Sequence, residues 1–279
     1  MITATDITTE NISILELDHP GANDATYRAR RNEIAKAAIK FRETGIVPRV
    51  NYTEQEHQTW KLVCNKLLPL HEKKACKMYL EGREVLGIST ERIPEFADIN
   101  KALAPLTGFK VAPIEGLVDS RNFLANFIER TMLCTQYIRH HSKPEYTPEP
   151  DIIHEILGHV PAFTNEAFVT FMERVGKAAL NATDEELAQL DKIYWWTVEY
   201  GLIQEDGEVK AFGAGILGSF GEMEHAFKVP HLPFDPQVCM NTEFDYTRMQ
   251  PQLFVIESFE SLLEQTEEFM MDLINRKKH

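Results

Sequence analysis

The stretch YTPEPDIIHEILGHVP, residues 146–161, carries His154, Glu155 and His159 in an H-E-x-x-x-H spacing. Imidazole nitrogens and carboxylate oxygens are ordinary donors for a divalent transition metal. The zinc-protease motif H-E-x-x-H sets its histidines four apart, which puts both rings on one helix face. Here the interval is five, and an ideal α-helix would turn the second ring ~100° further round its axis. The spacing therefore argues against the zinc-protease motif. It still allows a shared ion if the helix unwinds near His159, which Gly158 and Pro161 favour. A metal needs a third protein ligand, and Glu199 is the candidate. It stands in IYWWTVEYGL, the most aromatic run of the chain, where an unpaired charge is expensive. The alternative is a solvent-facing stripe, but that stripe would have to include Trp195 and Trp196. Two imidazoles and a carboxylate make the facial triad of non-haem Fe(II) oxygenases, with positions open for oxygen and a co-substrate. Glu155 is either a helix-surface acid or a group that supports the ligands. Three classes stay open: an oxygenase, a zinc-dependent hydrolase with Glu155 as base, and a protein that keeps the metal as a structural clip.

The elements around these residues read as mostly helical. Residues 24–43 have helical spacing of Tyr27, Ile34, Ala37, Ala38 and Phe41 and end at Gly45 and Pro48. Thr53 and Glu56 predict a capping box on a second helix, with Trp60, Val63, Leu67 and Leu68 as its apolar stripe. Phe109–Ile114 reads as extended. Asp119 or Ser120 predicts a helix running toward His140, burying Phe123, Phe127, Ile128 and Met132. Asp151 caps the histidine helix, and Pro161 stops it. Thr183 and Glu186 form a second capping box on a helix that ends at Gly201. LIQEDGEVKAF reads as a hairpin turning at Asp206-Gly207. A charged helix covers residues 257–278. No repeat and no Pro/Gly/Ser-rich linker divides the 279 residues, so a single domain over 1–279 is expected, with a flexible tail over 1–16.

Composition narrows the partners. Lys and Arg total 29 against 43 Asp and Glu, a net charge of -14. That field repels polyphosphates and anionic lipid surfaces, so neither nucleic acid nor membrane is expected as a partner. The N-terminus has no basic segment followed by an apolar one, and no run approaches the ~18 apolar residues of a membrane span. Four scattered cysteines predict free thiols in a reducing cytoplasm.

On longer segments the chain resembles the pterin-dependent aromatic amino acid hydroxylases, most closely those that act on phenylalanine. DHPGANDATYRARR, PRVNY, CTQYIRHHSKPEYTPEPDIIHEILGHVPAF, IYWWTVEYGL and KAFGAGILGSFGE carry the resemblance, from about Leu17 to about Phe259. It implies an α+β fold that is mostly α: a basket-shaped helical catalytic domain with a few short strands and hairpins. It implies Fe(II) on His154, His159 and Glu199, with Glu155 beside them, a tetrahydropterin as electron donor, and O2. The implied reaction hydroxylates the ring of a free aromatic amino acid, L-phenylalanine to L-tyrosine first, with tyrosine or tryptophan as alternatives. For the substrate it implies Arg139 on the carboxylate, a planar bidentate fork. Thr147 and Asp151 would stand near the amino acid backbone, with Trp195, Pro150 and Tyr200 at the ring pocket. For the pterin it implies Gly116, Val118, Phe123 and Leu124, with Tyr194 and Glu155 flanking pterin and iron. Tyr52 matches a mobile lid tyrosine.

Two positions and one segment depart from the family pattern. Gly218 stands where a serine usually supports a ligand histidine or the substrate, so weaker order around the metal is expected. Tyr200 replaces a phenylalanine, and its hydroxyl needs a partner if buried. The segment Phe244–Arg248, which in the family separates phenylalanine from tyrosine, aligns poorly. No regulatory domain precedes the match and no assembly helix follows it, so a monomer or homodimer is expected.

Overall fold

Asp24 accepts the backbone N–H groups of Thr26 and Tyr27 and caps α1, Ala25–Thr44, which Gly45 ends in the left-handed conformation at φ 67°. The computed structural model describes Leu15 and residues 19–116, 118–147 and 149–276. Leu15 apart, the tail expected over 1–16 lies outside the described residues. Thr53 and Glu56 close the expected capping box on α2, Glu54–Lys74. α3, Lys77–Leu86, and α4, Phe96–Thr107, both stop at left-handed glycines. β1, Lys110–Pro113, is the extended segment expected near Phe109.

The helix expected to run toward His140 is broken. Asp119 caps α5, Ser120–Ala125, and a 3-10 turn, Asn126–Glu129, ends it. Arg130 then turns left-handed at φ 47°, and β2, Thr131–Cys134, pairs in parallel with β1. Tertiary contacts override the local pattern here. Arg130 binds Glu166 and Glu173 and donates to the Thr107 carbonyl, which fixes the reversal. Phe127 and Met132 are buried as expected, whereas Phe123 and Ile128 are only half-buried.

α6, Glu166–Asn181, leads to α7, Asp184–Tyr194, which carries the Thr183–Glu186 capping box. β3, Leu202–Glu205, and β4, Glu208–Ala211, form the expected hairpin, with positive φ at both Asp206 and Gly207. α8, Ala214–Leu217, α9, Phe220–His225, β5, His231–Pro233, α10, Pro236–Met240, and β6, Leu253–Ile256, follow. α11, Phe259–Asn275, is capped by Ser258 and ends short of Lys278, since Arg276 is already extended. One sheet is β1-β2 and the other β4-β3-β6-β5, so helix dominates and the strands are short.

One contiguous set of buried apolar side chains runs from Ile34 on α1 to Leu273 on α11. Within it His71 on α2 is fully buried and satisfied at both nitrogens. Nε2 lies 2.8 Å from the Leu217 carbonyl of α8, and the Tyr79 hydroxyl lies 3.2 Å from Nδ1. A carbonyl only accepts, so Nε2 carries the proton and Nδ1 accepts from Tyr79. The four cysteines are free and buried. Among the described residues no helix is long and apolar enough to cross a membrane.

Candidate metal centre and active site

Asp151 starts the histidine helix as expected: its Oδ1 accepts the His154 N–H at 3.1 Å. From His154 to His159 the turn is π-helical, and the Val160 N–H bonds back to the Glu155 carbonyl. A π turn closes over five residues, so residues five apart share a face. This wider turn, rather than unwinding at Gly158, lets the H-E-x-x-x-H spacing converge. The histidine turn ends at His159, just ahead of Pro161. The chain tightens into a 3-10 turn, Val160–Thr164, with Pro161 in its first turn, where a missing N–H costs little. Gly158 serves packing instead. A Cβ there would stand 2.6 Å from the Ala214 carbonyl oxygen, so glycine lets α8 lie against the π turn. A second π turn, Trp195–Glu199, extends α7 and delivers Glu199.

Three donors meet. Nε2 of His154 and Nε2 of His159 are 3.0 Å apart. Glu199 places Oε1 3.1 Å from His159 Nε2 and Oε2 3.4 Å from His154 Nε2. Ligand atoms ~2.1 Å from one ion and at right angles about it lie ~3.0 Å apart. The spacing and the donor chemistry therefore fit one shared cation. Glu155 lies in the same cluster, within 4.8 Å of both imidazoles. Its Oε1 accepts the N–H and the hydroxyl of Thr135, each at 3.1 Å. That contact fixes Glu155 beside the ligands.

Electrostatics follow from burial and proximity. Burial pulls His154 down to about 4 and outweighs the opposing charge of Glu199, which leaves a neutral imidazole. Burial also opposes charge on His159, but the Glu199 carboxylate beside it prevails and raises its pKa. Burial would raise Glu199, yet the two imidazoles bring it down to about 2. Burial pushes Glu155 up to about 7, against the pull of His159 and Thr135. The buried Tyr194 hydroxyl faces the Glu199 carboxylate; burial first, and then that charge, raises its pKa.

Arg139 differs from expectation. It is buried, and its Nε and Nη2 hold Asp151 at 2.9 and 2.8 Å. Nη2 also donates to the Gly218 carbonyl, and Nη1 to the Pro144 carbonyl. The bidentate fork is thus spent on Asp151, and of the five N–H groups of a guanidinium one on Nη1 remains. Burial would raise Asp151, but Arg139 beside it holds the carboxyl below its ordinary value. Gly218 corrects the expectation of looser order. A Cβ there would stand 2.9 Å from the His154 Cα, so the glycine brings α8 directly onto the ligand's backbone.

The aromatic residues form a wall. Trp195 stacks on Phe244 at 4.2 Å and lies 4.6 Å from Tyr200, ring centre to ring centre. The poorly aligning segment thus begins at the partner of Trp195. Thr147 and Pro150 are half-buried, and the Thr147 hydroxyl donates to the Glu149 carbonyl. Among the residues expected to hold a pterin, Gly116 faces open space, Val118 is exposed and Phe123 is half-buried. Phe123 meets Tyr194 edge-on at 6.3 Å, which ties this wall to the helix that carries Glu199. The Leu124 side chain is sealed in the core and offers no open surface. Tyr52 is not a lid. It is 8 % exposed within the core, and its hydroxyl donates to the Gln136 carbonyl. It borders a cleft of about 590 Å³ between α2 and α4 that holds none of the three metal donors.

Sequence reasoning missed Thr135, Phe244 as a stacking partner, and Glu222. Glu222 lies in the segment KAFGAGILGSFGE, and an acid within so apolar a run was the available signal.

Residues 3–278 match the family model of biopterin-dependent aromatic amino acid hydroxylases. The phenylalanine-4-hydroxylase of Caenorhabditis elegans is 44% identical over 88% of this chain and 55% of its own length. The tyrosine 3-monooxygenase of Schistosoma mansoni is 42% identical over 89% of this chain and 55% of its own. The chain thus spans about half the length of these relatives. The crystal structure of Chromobacterium violaceum phenylalanine hydroxylase with bound iron(III) and 7,8-dihydrobiopterin is similar with a TM-score of 0.75 and 30% identity, covering 83% of this chain and 86% of that one. The zinc-hydrolase alternative finds no support in these likenesses. With its donor triad, its two π turns and a match over almost its whole length, the chain belongs to the family of biopterin-dependent aromatic amino acid hydroxylases.

Proposed function

We propose that the chain is an Fe(II)- and tetrahydropterin-dependent monooxygenase that converts L-phenylalanine to L-tyrosine. The observation that carries this reading is the meeting of His154, His159 and Glu199 at 3.0–3.4 Å beside an aromatic wall. The relatives named phenylalanine-4-hydroxylase support the substrate, and the bound iron and dihydrobiopterin of the bacterial structure support the cofactors. When bound, the metal and the pterin supply oxygen activation and two electrons, so that one atom of O2 enters the ring and the other is reduced to the level of water.

The residues of the chain bind and orient. His154, held neutral by burial, His159 and Glu199 would hold the metal on one face and leave the opposite face open. Asp151 links the two halves of the site, since one carboxylate starts the histidine turn and locks Arg139. Arg139 would offer its remaining Nη1 N–H to the substrate carboxylate. Trp195, with Tyr200 and Phe244 on its faces, gives the ring an apolar seat. Gly116, Val118 and Phe123 would receive the flat pterin along the edge that leads to Tyr194. Glu155, steadied by Thr135, would supply a hydrogen-bonding group beside the metal donors.

The test is oxygen uptake and tyrosine formation by the Fe(II)-loaded protein with L-phenylalanine and a tetrahydropterin. Uptake that depends on all three components, with tyrosine as product, is the expected result. Hydrolysis of a peptide or amide by the zinc-loaded protein, without oxygen uptake, would overturn it. A second reading, hydroxylation of tyrosine, draws on the tyrosine 3-monooxygenase relative. Parallel assays with L-tyrosine and L-tryptophan decide between them.

A further inference from the structure

A free amino acid carries two charges, and the site as described answers only one. Arg139 keeps one Nη1 N–H for the carboxylate. An α-ammonium buried beside it also needs a partner of opposite charge. The acids around Arg139 are almost all committed. Asp151 gives both oxygens to Arg139 and to the His154 N–H. Glu149 holds Arg31 at 2.7 Å. Glu155 holds Thr135, and Glu199 faces the two imidazoles.

Glu222 has an uncommitted oxygen. It is 2 % exposed, and its Oε1 is buried with no hydrogen-bond partner. Removal from water alone pushes its carboxyl up to about 7, with no cation to offset it. The Gly218 carbonyl accepts Arg139 Nη2, and Ser219, the next residue, caps α9 and accepts the Glu222 N–H. Ser219 and Gly221 both donate to the Glu145 carbonyl, which seats Tyr146 and Thr147 against this helix. Burial first, and then the charge of Glu222, raises the pKa of both Tyr146 and Tyr200. Tyr200 in turn lies on Trp195. Glu222 is therefore tied by backbone to the segments that carry the Gly218 acceptor of Arg139 and Thr147, and its charge reaches Tyr200 at the aromatic wall.

We propose that Glu222 receives the α-ammonium of the amino acid substrate, opposite the carboxylate at Arg139, and so selects free amino acids over acids that lack the amine. This rests on the function proposed above and adds the half of the binding site that function leaves unassigned.

The test is calorimetric titration of the Fe(II)-loaded protein, without pterin and under argon, so that nothing turns over. The ligands are L-phenylalanine and 3-phenylpropanoate, which lacks only the amine. Wild type should prefer L-phenylalanine. Glu222→Gln should lose about 10- to 100-fold in affinity for it, the worth of one charged hydrogen bond, while 3-phenylpropanoate stays within about twofold. Glu222→Asp, which keeps the charge, should restore part of the preference. An E222Q protein that keeps the wild-type preference overturns the proposal. So does one that loses both ligands alike, because that is a structural role. Should E222Q not fold, the wild type alone decides: equal affinity for the two ligands overturns the proposal. A wild type that binds L-tyrosine or L-tryptophan but not L-phenylalanine overturns the substrate choice only, and the same comparison on that amino acid then decides Glu222.

Discussion

Gly218 lies so close to His154 that a Cβ on it would stand 2.9 Å from the histidine α-carbon. Nothing flexible intervenes, because the atom approached is backbone. Gly218→Ser must therefore push α8 and the π turn apart. The expected cost is about 1–3 kcal/mol of stability, typical of overpacking. Iron affinity should fall about 10- to 100-fold, as it does when the surroundings of metal ligands are disturbed. Thermal unfolding and Fe(II) titration check both; an unchanged iron affinity would show that α8 yields freely.

Arg139 and Asp151 form a buried pair with side chains 1 and 0 % exposed. Removing one partner strands the other charge. Asp151→Asn and Arg139→Met should each cost about 3–5 kcal/mol. Asp151→Asn should also loosen the first turn of the histidine helix, since Asp151 Oδ1 accepts the His154 N–H. Denaturant unfolding of both variants measures the cost, and a double variant costing far less than the sum would show the coupling.

Alanine at His154, His159 or Glu199 should abolish stoichiometric iron, because each donor forms two of the three short edges. Chelation of wild type should have the same effect on activity, and re-addition of Fe(II) should restore it. Metal analysis beside tyrosine formation is the measurement. Any one variant that keeps both iron and activity removes that residue from the ligand set.

His71 sets a pH dependence away from the metal. Burial lowers it to about 3, against 6.5 in a free chain. Between those values the unfolded chain binds a proton that the folded one refuses. Stability is therefore full above about 6.5 and falls as the pH drops toward 3. By pH 5 the loss from this residue is about 2 kcal/mol. His71→Gln should flatten that part of the stability curve, as read from unfolding between pH 5 and 7.

Local signals in the sequence determined the donor types, the two capping boxes, the Asp206-Gly207 hairpin and the end of α1 at Gly45. Each depends on atoms within a few residues, so the sequence alone suffices for it. The pairing of two histidines with an acid was legible as chemistry. How a five-residue interval could converge was not, because the π turn lies in a tertiary contact, Gly158 against Ala214 of α8 and His154 against Gly218 at the end of α8. The same holds for Arg130, whose left-handed turn depends on acids 36 and 43 residues away. Arg139 looked like an open fork until Asp151 and the Gly218 carbonyl, 12 and 79 residues distant, were found filling it. The bond from the Tyr52 hydroxyl to Gln136, 84 residues on, was equally invisible in the sequence. Glu222 gave no sign of being without a partner. Burial and the absence of a counter-charge are properties of the assembled space around a side chain, and no stretch of sequence holds them.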